Sequence, residues 1–305
     1  MKLGLMLPVK PDIRWILARQ VGVEYAITKA APELSGQLPP WDFESLHSVK
    51  TRFAEQGFRL WALEGDEFDM SRIKLGLPGR DEDIEHYCMM LRNMGRLEIP
   101  LLCLNFMAGI GWYRTRVDLP ERGGALTSEF DRAAMPPEPE LKLSHEELWS
   151  NFEYFILAVI PAAEEAGVKM HPDDPPIDRL CGYPRILTSA AAFRRALALA
   201  ASPNCGVTFC QANFRAMGED VPALIEEFCR KKQLFFFHFR DIEGTAEHFR
   251  ETFHDNGPTD MAKLLKLLKE NGFDGILRPD HTPTMATEEN CEPGYAMLGN
   301  LFAVG

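Results

Sequence analysis

An α/β fold of the (β/α)8 TIM-barrel class, a single domain over residues 1–305, is what this sequence predicts. Three observations carry the prediction. Eight short apolar runs occur along the chain, amphipathic helical stretches separate them, and no glycine-rich phosphate loop follows the first run. The count suits a barrel, and the third point disfavours its structural rival, a doubly wound open sheet.

The predicted strands cover residues 3–6, 23–27, 59–63, 101–106, 168–171, 206–210, 234–239 and 275–279. Each is short, apolar and rich in β-formers, as strands buried on both faces are. Helices are predicted at 81–94, 145–166, 189–200, 222–231 and 260–271. The run Ser144-His145-Glu146-Glu147 opens one of them as a capping box, and Asn271-Gly272 closes another with a C-terminal glycine. Residues 112–143 are rich in glycine, proline and charge, and predict one long irregular loop. Because it follows the fourth strand, it should lie over the catalytic face of a barrel, as a lid.

Composition narrows the function. With 46% hydrophobic and 26% charged residues the chain is ordinary globular protein. A formal charge of −12 disfavours nucleic acid or an anionic membrane as partner. The N-terminal apolar run is broken by Pro8 and Pro11, too early for a signal sequence, and no run is long enough to span a membrane. Seven cysteines without C-x-x-C pairing fit a reducing cytoplasm, most serving as small hydrophobes. A small-molecule substrate is expected, and a homo-oligomer is compatible with the sequence.

Four potential ligands stand at the ends of four consecutive predicted strands: His171, Cys210, His238 and Asp280. In a barrel these ends converge on one mouth, where active sites lie. Two imidazoles, a thiolate and a carboxylate can hold one divalent metal and leave a position for substrate. Glu64, Asn105 and the pair Arg240-Asp241 occupy similar strand ends, where they would orient substrate or ligands, or simply cap and pair. His281 directly follows a proposed ligand, points away from it, and suits a general acid or base. His254 lies in a loop, for substrate contact or for a turn. His47, His86 and His145 fall on helices and should be solvated.

The run His171-Pro172-Asp173-Asp174-Pro175-Pro176, followed by Gly182-Tyr183-Pro184-Arg185-Ile186, resembles a signature of the mannonate dehydratases. The resemblance continues in Phe209-Cys210, His238-Phe239-Arg240, Arg278-Pro279-Asp280-His281, Asn105-Phe106-Met107 and Trp112-Tyr113-Arg114-Thr115. It covers about two-thirds of the chain. It implies a xylose-isomerase-like barrel and a hydro-lyase converting D-mannonate to 2-keto-3-deoxy-D-gluconate in hexuronate catabolism, with Mn2+ or Fe2+, one per chain. The implied ligands are the four already chosen, and the implied acid/base pair is His281 and Tyr295. Arg114 or Arg185 would hold the substrate carboxylate by bidentate bonds, with Asn105 and Arg240 as further contacts. The chain departs from the family in having Thr282-Pro283 after His281 and in its first two strands. A sugar isomerase or epimerase on the same barrel, and a noncatalytic sugar-acid-binding relative, are the alternatives.

Overall fold

A computed structural model describes residues 1–173, 175–286 and 291–293, with backbone alone at 285–286 and 291–293. Eight parallel strands form its centre: β1 (Lys2–Met6), β2 (Tyr25–Thr28), β3 (Arg59–Glu64), β4 (Leu101–Leu104), β5 (Lys169–Pro172), β6 (Val207–Cys210), β7 (Leu234–Phe239) and β8 (Ile276–Pro279). Hydrogen bonding runs in the order β6-β7-β8-β1-β2-β3-β4-β5. The ring is completed by a parallel bridge between Met170 and Cys205. There Met170 N donates to Asn204 O at 2.8 Å and Gly206 N to Met170 O at 2.9 Å. All eight expected strands are present, each within two residues of its expected bounds.

The barrel interior is packed, as the fold requires. Ile27, Ala62, Leu101, Phe235, Phe236 and Ile276 form a buried cluster of their own. Gly4 on β1 makes room for it, because a Cβ there would stand 2.5 Å from Ile276 Cδ1 and 2.6 Å from Ile27 Cδ1. All six residues of β7 are buried, which an alternating strand with one wet face could not achieve. Burying one such phenylalanine contributes roughly 1.5–3 kcal/mol.

The helices wrap this ring, and the five expected ones lie at Arg80–Arg96, His145–Ala166, Ala190–Ala200, Val221–Arg230 and Met261–Glu270. Ser144 accepts from Glu147 N while the Glu147 carboxylate accepts from Ser144 N, so the capping box is formed. Ile13–Gln20 and Phe43–Glu55 are further helices, started by Asp12 and Asp42 side chains that accept from the first-turn amides. His86 is half-buried, its ring stacked on Trp41 at 4.1 Å, and so is not the solvated histidine expected.

Residues 112–143 depart most from expectation. They contain two antiparallel strands, Arg116–Pro120 and Leu126–Asp131, in a second sheet. Leu126–Asp131 pairs with His248–Thr252, which pairs in turn with Asp241–Gly244. On its other edge it meets Thr284–Ala286, which pairs with Cys291–Pro293. Thr127 and Phe130 are buried while their neighbours are half-exposed, and Phe130 packs on Phe249 at 5.8 Å. The two strands pair locally with each other, but the further partners of Leu126–Asp131 lie more than a hundred residues away, which local sequence does not reveal. Among the described residues no helix is long and apolar enough to cross a membrane.

Candidate metal centre and its cavity

The register of the barrel decides which side chains share its mouth. Cys210 stands opposite His238 across the β6–β7 pair, and His238 opposite Arg278 across β7–β8. Asp280 lies two residues beyond Arg278, and so on the same side of the strand. Sulfur, imidazole nitrogen and carboxylate oxygen of Cys210, His238 and Asp280 fall within 4.8 Å of one another, and all three residues are buried. His171 lies on β5 nearby but outside that group, completely buried, with Nδ1 2.5 Å from Thr208 Oγ1.

The donor set fits a cation. Among the described residues neither ring nitrogen of His238 has a hydrogen-bond partner, and neither does Nε2 of His171, although both rings are buried. Around His238 stand three carboxylates: Asp173 at 3.3 Å and Asp280 at 3.6 Å from Nδ1, and Glu64 at 3.4 Å from Nε2. Burial opposes charge on His238, but Asp280 and Glu64 outweigh it and raise its pKa well above the usual value. The groups thus draw positive charge to this point. Burial, reinforced by His238, lowers the His171 pKa to about 3, leaving a neutral imidazole.

Arg278 organises the acids. It grips Glu64 with two bonds of 3.0 and 2.8 Å and donates to Asp280 Oδ1 at 2.6 Å. Asp280 Oδ2 is the oxygen that faces His238. Burial would raise both carboxyls. Arg278 reverses this, holding Glu64 at about 2 and Asp280 well below the ordinary carboxylate range. Asp173 has no arginine, and burial raises its pKa.

A cavity of about 600 Å³ opens over this cluster. Glu64, Cys103, Asp173, His238 and Asp280 line its floor, and Trp112 and His281 its rim. Trp112 and His281 rings lie 5.9 Å apart, so the segment beginning at 112 does reach the mouth. His281 adopts φ +44° and its side chain is 36% exposed. The opposite wall is polar. Buried Lys74 binds both oxygens of Asp66, at 2.8 and 2.7 Å, and Asn105 Oδ1 at 2.7 Å.

The expected substrate contacts are placed differently from one another. Asn105 lines the cavity. Arg240 is fully buried, with Nη1 3.6 Å from Cys210 Sγ and 2.8 Å from Asn213 Oδ1. Arg114 donates to Glu251 at 2.7 Å and has a buried Nε without a hydrogen bond among the described residues. Arg185 is buried and donates to the carbonyls of Ala108, Pro184 and Ile110. His254 is also buried, its Nε2 2.8 Å from Phe239 O. Tyr295 lies outside the described residues.

Asp173, Cys103 and Glu251 went unselected from sequence. Asp173 carried a usable signal, standing two residues after His171. Cys103 reads as one more apolar position of β4, yet its sulfur groups with Glu64 and His238. Nothing local marks Glu251.

Comparison with known proteins agrees with this geometry. The family model described as D-mannonate dehydratase (UxuA) matches residues 13–143 and 138–305. A mannonate dehydratase of Streptococcus pneumoniae is 35% identical over 289 residues, 84% of this chain and 78% of that protein. One from Thermotoga maritima is 30% identical, covering 87% and 85%. The crystal structure of mannonate dehydratase from Streptococcus suis superposes with a TM-score of 0.88 at 30% identity, over 99% of this chain and 91% of that one. A xylose isomerase domain protein from Planctomyces limnophilus, at 14% identity and TM-score 0.62 over 99% and 94% of the two chains, shares the fold. With a family model over nearly its whole length and relatives above 30% identity, the chain belongs to the mannonate dehydratase family of metal-dependent hydro-lyases.

Proposed function

We propose that this chain removes water from D-mannonate to give 2-keto-3-deoxy-D-gluconate, in hexuronate catabolism in the cytoplasm. The observation that carries the reading is the buried Cys210–His238–Asp280 group, of which His238 and Asp280 line a polar cavity that His281 also lines. His171, Cys210, His238 and Asp280 would hold one ion. A nitrogen, sulfur and oxygen donor set favours Mn2+ or Fe2+ over magnesium or calcium. Such an ion would act as a Lewis acid toward the substrate oxygens.

The remaining chemistry belongs to the side chains. The C2 proton must leave and the C3 hydroxyl must depart as water; the resulting enol then becomes the 2-keto acid. His281, with its ring open to the cavity, and Tyr295 divide these two proton movements. The Lys74–Asp66–Asn105 network presents fixed donors and acceptors to the sugar hydroxyls. Arg114, with its unsatisfied buried Nε, suits the substrate carboxylate, and its charge is felt at His281. Arg185 would act indirectly, by fixing the loop at 108–110 that lines the cavity. Residues 112–143 and the second sheet form a cover on a single barrel domain.

The test is incubation of Mn2+- or Fe2+-loaded protein with D-mannonate and a panel of other aldonic acids. Loss of one water by mass and a 2-keto product are expected. An isomerised or epimerised product of unchanged mass, or ligand-induced stabilisation with no turnover, would overturn the reading.

A further inference from the structure

Thr208 lies on β6 with its side chain completely buried between His171 and Cys103. Its hydroxyl has three neighbours: His171 O at 3.1 Å, His171 Nδ1 at 2.5 Å and Cys103 Sγ at 3.2 Å. A hydroxyl has one proton and two lone pairs. The carbonyl oxygen can only accept, and the 3.1 Å contact has the geometry of a hydrogen bond donated by the Thr208 hydroxyl. The proton is then committed. Nδ1 and the thiol must be the donors in the other two contacts.

From this count we infer that Thr208 is a positioning residue that locks His171 in the tautomer with hydrogen on Nδ1. A neutral imidazole carries one ring hydrogen, so Nε2 is left with its lone pair. That lone pair is buried and takes no hydrogen bond from any of the described residues. The ring cannot turn to seek another partner cheaply, because it is stacked on Phe236 at 5.2 Å and 21°. Thr208 therefore presents Nε2 as a ready metal ligand, by the same logic through which carboxylates or carbonyls orient ligating histidines. The inference rests on the metal reading above for its purpose, but the tautomer itself does not depend on a metal.

Two measurements test it. Mn2+ titrations, following free Mn2+ by electron paramagnetic resonance, compare the wild type with Thr208→Val, Thr208→Ser, His171→Ala and the Val/Ala double variant. Thr208→Val should weaken binding about 10- to 100-fold, the usual effect of removing such a partner. Thr208→Ser should restore it, and adding Thr208→Val to His171→Ala should cost nothing more. Wild-type affinity in Thr208→Val, or an equal loss in both backgrounds, would overturn the inference. The second measurement is a long-range 1H–15N spectrum of the metal-free wild type, in which His171 should show a protonated Nδ1 and a bare Nε2. The opposite tautomer sinks the inference whatever the titrations give. A wild type that binds no Mn2+ but shows the expected tautomer would sink the metal reading alone.

Discussion

Glu251 grips Arg240 with both carboxylate oxygens, at 2.8 and 2.7 Å, and each side chain is only 1% exposed. Arg240 in turn aims Nη1 at the sulfur of Cys210, and Arg114 adds a second guanidinium to Glu251. A strand of the second sheet is thereby tied to a proposed metal ligand. Removing one partner of a fully buried pair leaves the other uncompensated, at a cost of about 3–5 kcal/mol. Glu251→Ala should therefore lower unfolding free energy by that amount in denaturant titrations. A loss below about 1 kcal/mol, the size of an exposed pair, would show that the pair is not sequestered in solution.

Metal content addresses Cys210 directly. The purified wild type should carry about one Mn- or Fe-class ion per chain, and Cys210→Ser markedly less by elemental analysis, because hydroxyl replaces the softer thiolate. Equal retention would remove Cys210 from the ligand set.

His281 and His171 should separate chemistry from binding. His281→Asn and Tyr295→Phe should retain metal while turnover of D-mannonate falls about 10²–10⁴-fold, the usual effect of losing an acid or base. His171→Ala should lose metal and turnover together. Metal depletion in His281→Asn matching that of His171→Ala would put His281 in the coordination sphere and end the acid/base assignment.

Acid stability offers a test remote from the site. Arg194 on helix Ala190–Ala200 holds Glu227 on helix Val221–Arg230 at 3.0 and 2.6 Å, and Lys231 adds a third bond. Hydrogen bonds from Arg194 and then Lys231 lower the Glu227 pKa from 4.5 to about 2. The folded value is below the unfolded one, so the stabilisation is present above pH 4.5 and lost as pH falls toward 2. Arg194 and Lys231 are nearly half exposed, which limits the effect to about 0.5–1 kcal/mol. Glu227→Gln should flatten the stability profile across that window by this amount. An unchanged slope would show that the bonds are not maintained in solution.

The cover should respond to substrate. Amides of residues 112–143 should gain hydrogen-exchange protection when a sugar acid occupies the cavity beneath Trp112, as closing segments do. Unchanged protection would assign the segment to static packing.

The barrel and the proposed ligands were legible because they are written locally. Each strand is a compact apolar run, and His171, Cys210, His238 and Asp280 sit where such runs end. The second sheet was not, since Leu126–Asp131 looks polar until Phe249 is set against Phe130. Asp173 was half legible, having the right spacing from His171 but sitting in a proline-rich turn. The Glu251–Arg240 pair closes over the hairpin of Asp241–Gly244 with His248–Thr252, and its role shows only once that hairpin is set beside Cys210. Arg185 shows what residue type alone leaves open, since the fold turns its guanidinium toward the carbonyls of Ala108, Pro184 and Ile110.

The second sheet also fixes when the site can exist. Its strand Leu126–Asp131 pairs with Thr284–Ala286, far later in the sequence, and Asp280 directly follows the last barrel strand. During synthesis, most of the polypeptide emerges before either the fourth ligand or the final edge of the cover is available. Long-range pairings of this kind form slowly. Completion of the proposed metal group and of this edge of the second sheet should therefore be late events in biogenesis.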